Sequence, residues 1–128
     1  MPDTHLKIDD TELSLSIPAD PALLRIVRLV ASGLASFTAL DLNGVEELRV
    51  GADELVSALI QAGDGSPVHL RAELRGGRIC IKADTVLGGD ALQVDPLTDR
   101  ILAEVSTGHS FTVSEGRVHG RLEITLPR

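Results

Sequence analysis

Apolar and polar positions alternate at the start of the chain. Leu6-Lys7-Ile8-Asp9-Asp10 and then Glu12-Leu13-Ser14-Leu15-Ser16-Ile17 carry a two-residue period that predicts a half-buried strand, stopped by Pro18. The period then changes. Asp20-Pro21 is an N-cap followed by a first-turn proline, and Leu23, Val27, Val30 and Leu34, widened by Leu24 and Ala31, form the apolar stripe of a first helix. Arg25, Arg28 and Ser32 fall off that stripe, and the helix is expected to fray near Ser36-Phe37-Thr38. A second helix is predicted from Asn43, with Asn43 and Glu46 spaced as a capping box. Its stripe is Val45, Leu48, Ala52, Leu55 and Leu59, and it closes at Ala62-Gly63, where glycine accepts a left-handed C-cap. Glu54 sits on the flank of that stripe, beside Glu47, Gly51 and Ala58.

The second half returns to strands. Val68 to Leu74 and Arg78 to Ala83 alternate around Gly76-Gly77, a hairpin signal. Thr85 to Pro96 reads as a loop. Leu97, Ile101, Leu102 and Val105 predict a short helix, and His109–Val113 and Arg117–Leu126 predict a final hairpin turning at Glu115-Gly116. The order β-α-α-β-β-α-β-β predicts an α+β two-layer sandwich: a mixed sheet of about five strands, covered on one face by three helices. Residues 1–128 are taken as one domain, with residues 1–5 expected to be flexible.

Composition narrows the function. Twelve Lys+Arg against nineteen Asp+Glu give a net charge of -7, so the phosphate backbone is an improbable partner. Aromatics are 2% of residues, which removes a base-stacking surface. Cys80 cannot pair within the chain, the N-terminus is polar, and no run reaches the ~20 apolar residues of a membrane span. These features predict a cytoplasmic protein without a membrane anchor. His5, His69, His109 and His119 have no metal-ligand spacing and are read as structural; Cys80 is read as core or sheet filler. Neither GxxxxGK[ST] nor GxGxxG occurs.

Ile17 to Arg28, with Ile17-Pro18-Ala19-Asp20-Pro21 leading in, and Val45 to Leu55 resemble the anti-sigma factors of the RsbW and SpoIIAB type, bacterial serine kinases with the histidine-kinase-like ATPase (Bergerat, or GHKL) fold. The element order agrees, and the resemblance runs from about Leu13 to Leu126. It implies that Glu54 occupies the position of the general base on the second helix. Four residues on, where the family's Asn helps hold Mg²⁺ on ATP, stands Ala58, whose methyl group offers no lone pair. The family's adenine loop, Asp-x-Gly-x-Gly, corresponds to Asp84-Thr85-Val86-Leu87-Gly88: Asp84 and Gly88 fit, and Val86 replaces the first glycine. The Gly-rich phosphate stretch has no counterpart in Val94 to Arg100, and Thr85–Pro96 takes the place of the ATP lid.

The resemblance therefore implies a degenerate ATP site, no cofactor, and a role in binding: a sigma factor held through Arg25 and Arg28 on the first helix, released by an anti-anti-sigma (STAS) protein. It also implies a homodimer through the first helix and strand. Two alternatives stand beside this expectation. One is an active serine kinase using Glu54 as base, Asp84 on adenine, and Ser57, Asp53 or water in place of the lost Mg²⁺ ligand. The other is an interaction module of unrelated function.

Overall fold

A computed structural model describes residues 10–127. Five strands, β1 (Thr11–Ile17), β2 (Val68–Arg75), β3 (Arg78–Val86), β4 (Gly108–Ser114) and β5 (Arg117–Thr125), form one sheet in the order β1-β2-β3-β5-β4. Three helices, α1 (Leu24–Ala35), α2 (Leu42–Ala62) and α3 (Pro96–Val105), cover one face of it. This is the expected α+β two-layer arrangement. The first half of the predicted opening strand, Leu6 to Asp9, and residues 1–5 lie outside the described residues.

The sheet is antiparallel at every pairing, not mixed. The connections explain why. With two helices between β1 and β2 the chain reverses three times, so β2 returns antiparallel beside β1. The single helix between β3 and β4 leaves those strands pointing the same way, as a βαβ unit requires. But β5 inserts between them, and no parallel pair forms.

Turn chemistry holds where the sequence was explicit. Gly76 and Gly77 take φ of 59° and 75°, and Glu115 and Gly116 take 51° and 75°, the left-handed pair that a two-residue hairpin requires. Helix ends differ more. The Asp20 side chain accepts from Ala22 N at 2.9 Å and caps a single 3-10 turn, Pro21–Leu23, before α1 begins. The capping box at Asn43 does not form: Asp41 caps α2 instead, accepting from Gly44 N at 2.7 Å, while Asn43 Nδ2 donates to Glu47 Oε1 at 3.2 Å. Two Asx caps were available two residues apart, and the earlier one adds two residues to the start of the helix. Gly63 ends α2 with φ -80°, not left-handed.

The core lies between α2 and the central strands. Leu48, Leu55, Val56 and Leu59 are fully buried against Ile79, Val118 and Leu122. A Cβ on Gly120 would come within 2.8 Å of Leu55 Cδ1, and one on Gly51 within 2.7 Å of Leu122 Cδ2. Glycine at both positions lets α2 sit close on β5. Burying each large aliphatic side chain contributes about 1.5–3 kcal/mol. Cys80 is nearly buried but belongs to the uncovered face, opposite Glu73 and Glu123. No helix among the described residues is long and apolar enough to cross a membrane.

Candidate functional site

Successive residues on a helix point ~100° apart, so neighbours reach opposite sides. On α2 this places Asp53 toward α1 and Glu54 toward α3. Asp53 Oδ2 accepts from Arg28 Nη1 at 2.9 Å, an ion pair about one-third exposed on each side. Glu54 Oε2 accepts from Thr98 Oγ1 at 3.3 Å and is half-buried.

Helix α3 is fastened in that position. Asp95 caps its start, accepting from Leu97 N at 2.8 Å. His109 Nε2, reaching from the covered side of β4, lies 2.6 Å from Asp99 Oδ1. His109 is thus structural, as read from sequence; His69 and His119 lie on the uncovered face, and His5 is outside the described residues.

Asp84 and Glu54 are not brought together. Alternation along β3 turns Ala83 and Thr85 into the core and Asp84 to the bare face, between His69 and His119. There Asp84 Oδ1 takes Arg117 Nη2 at 2.5 Å and Arg117 Nε at 3.2 Å. The expected loop at Thr85–Pro96 is shorter: β3 runs on through Val86, and Thr85 is buried, donating to the carbonyls of Ser66 and Pro67 at 3.2 and 3.1 Å. Gly88 donates its N–H to Ala62 O at 2.8 Å, and a Cβ there would come within 2.6 Å of Gly63 O. It is a close-packing glycine at the end of α2. Asp64, in the neighbouring turn, is held below the usual carboxylate range by hydrogen bonds from Ser66.

Two of the hollows formed by the described residues stand out. One of about 620 Å³ lies on the bare face of the sheet, over Arg71, Lys82 and Arg121. The other, of about 510 Å³, lies between the start of α2 and the end of α3, beside Asn43 and Glu104. Glu54 and Ala58 line neither. No group of three or more His, Cys, Asp or Glu suited to a metal occurs among the described residues.

The outer face of α1 is different in kind. Val27, Ala31 and Leu34 define its buried direction, and at ~100° per residue Leu29 points directly away from them. Leu29 is 67% exposed and Ile26 39%. Arg25, a turn before Leu29, is exposed and makes no ion pair among the described residues, whereas Arg28 is tied to Asp53. The sequence reading found both arginines and missed Leu29. Its signal was available: an apolar residue directly opposite the helix's own buried stripe.

No family model matches the sequence, and no curated protein matches it. Solved structures do. The structure of the RsbU and RsbW domains of Rv1364c from Mycobacterium tuberculosis superposes with a TM-score of 0.74 at 17% identity, over 92% of this chain and 33% of that one. A chain of the SiaB–SiaC complex from Pseudomonas aeruginosa superposes with a TM-score of 0.64 at 10% identity, over 89% of both. The chain therefore has the α+β fold of the RsbW-type proteins, as the resemblance implied. It spans a third of the length of the first of these structures.

Proposed function

We propose that this chain is a partner-switching regulator of the anti-sigma kind that acts by protein docking and not by phosphoryl transfer. A sigma factor docks on the outer face of α1, an anti-anti-sigma protein of the STAS class displaces it, and the regulator is a homodimer. The observation that carries this reading is Leu29, an apolar side chain at the outermost position of α1, flanked by Ile26 and Arg25 and left exposed by the described residues. Exposed apolar groups rimmed by polar ones mark protein-binding surface, and Arg beside them is a frequent hot spot. The acidic balance of the chain suits a partner with a basic DNA-binding surface. The SiaB–SiaC structure is itself a complex of two proteins, which accords with a fold used for pairing.

The residues at the family's nucleotide positions do not fit Mg·ATP. Ala58 supplies no oxygen, Thr98 occupies the Glu54 carboxylate, and Asp53 is engaged by Arg28. Asp84 is on the other side of the sheet, held by Arg117, and the Gly88 backbone is packed against Gly63. Mg²⁺ demands near-octahedral oxygen coordination, which this set does not assemble. No catalytic step is assigned to these residues.

The test is size-exclusion co-elution of the purified chain with candidate sigma factors over a range of salt. Co-elution that weakens with salt and is lost in Leu29→Glu is expected. Absence of a complex at every ionic strength would overturn the reading.

A further inference from the structure

The uncovered face of the sheet concentrates positive charge on an acidic protein. Of the twelve Lys+Arg and nineteen Asp+Glu, six cations but only four acids stand on it, a local balance of +2 that leaves -9 for the rest of the chain. Within that face the register places Arg71 opposite Lys82 and Lys82 opposite Arg121, so three cations form one row across β2, β3 and β5. Ser14 continues the row on β1 and Ser110 on β4. Like charges directly opposed across antiparallel strands are destabilising. The acids Glu12, Glu73 and Glu123 in the next row offset this through pairs at 2.9, 3.4 and 2.6 Å. Those cationic side chains are 45–56% exposed, while Glu73 and Glu123 lie deeper at 17%, so an anion reaches the cations from the solvent side, over their acid partners.

We propose that Arg71, Lys82 and Arg121, with the hydroxyls of Ser14 and Ser110 at the ends of their row, bind the phosphate chain of an oligophosphate anion on the bare face of the sheet. The row forms the floor of the hollow of about 620 Å³, a size usual for small-molecule sites. Strands lie ~4.8 Å apart, so the three cations span ~10 Å, and successive phosphates can lie over successive strands. Arginine forks grip phosphate oxygens in bidentate fashion, while Lys82 supplies a central point charge. Asp84, the one acid on the far side of the row, is neutralised by Arg117. The site is separate from the Glu54 flank and needs no metal.

Isothermal titration with tripolyphosphate in EDTA tests it, alongside ATP in EDTA. Wild type is expected to bind tripolyphosphate with one-to-one stoichiometry, and Lys82→Glu and Arg121→Glu to weaken it at least tenfold, with circular dichroism and Tm confirming that they fold. Arg100→Glu, on exposed α3, removes the same charge and is expected to leave binding unchanged. ATP binding equal to that of tripolyphosphate assigns recognition to the phosphates alone, and tighter ATP binding with the same variant pattern assigns a nucleotide. No binding at low salt, or equal weakening by Arg100→Glu, overturns the proposal. These outcomes are independent of sigma-factor docking, which is read on α1.

Discussion

The α3 flank of α2 and the outer face of α1 stand on the same helical layer and end differently. Between the helices, acidic groups are paired: Glu54 with Thr98 on the α3 side, Asp53 with Arg28 on the α1 side, and Asp99 of α3 with His109. On the outer face of α1, Leu29 is 67% exposed and Ile26 39%, with no element among the described residues packed over them. A hydrogen-bonded carboxylate has its needs met internally, whereas an uncovered leucine gains free energy only from a second molecule. Under the proposed function, the contrast puts recognition on α1 and gives the flank a structural part.

Several substitutions break or sharpen that contrast. The largest expected effect is Leu29→Glu, which should cost partner binding about 2 kcal/mol or more, roughly a thirtyfold loss of affinity. Its Tm should stay near wild type, because Leu29 contributes nothing to the core. A lowered Tm with binding preserved would reverse the assignment. Arg25→Ala should follow, weakening the complex by about 1–2 kcal/mol, with the deficit shrinking as salt rises.

Thr98→Val is a probe of the flank. Loss of its hydrogen bond to Glu54 should cost about 0.5–1.5 kcal/mol of folding stability, read by urea denaturation, with docking unchanged. Arg28→Ala should cost less than about 1 kcal/mol, since its pair with Asp53 is partly exposed. Comparing its docking with that of Arg25→Ala separates an arginine that helps hold two helices from one that faces outward.

Acid gives the smallest effect, remote from both surfaces. The hydrogen bond from Arg121 holds Glu123 below its ordinary value of 4.5, with Arg78 adding to it against the opposing cost of burial. The stabilisation is fully present above that ordinary value and is lost as pH falls through the lower folded one. Thermal denaturation from pH 6 downward should show its onset below about 4.5, smaller in Glu123→Gln.

The element order and the layer arrangement were legible because long amphipathic stripes such as Val27-Ala31-Leu34, and hairpin turns such as Gly76-Gly77, are local signals. Strand direction was less so: the all-antiparallel sheet depends on β5 inserting between β3 and β4, a long-range choice that no window of sequence contains. The cap at Asp41 in place of Asn43 reflects two chemically equivalent caps in competition. At the candidate site, motif spacing correctly located Glu54 on a flank. It could not show that β3 continues through Val86, which fixes Asp84 by strand alternation to the opposite face from Glu54. Arg25 and Arg28 read alike in sequence and separate in the structure because only Arg28 faces α2.

The central claim is that the α2 flank no longer grips a metal-bound nucleotide. Paired calorimetric titrations of ATP with Mg²⁺ and with EDTA, on wild type and Glu54→Ala, address it most directly. Affinity that does not rise with Mg²⁺ and is unchanged by the substitution is the predicted result. Micromolar binding that requires Mg²⁺ and disappears in Glu54→Ala would contradict it.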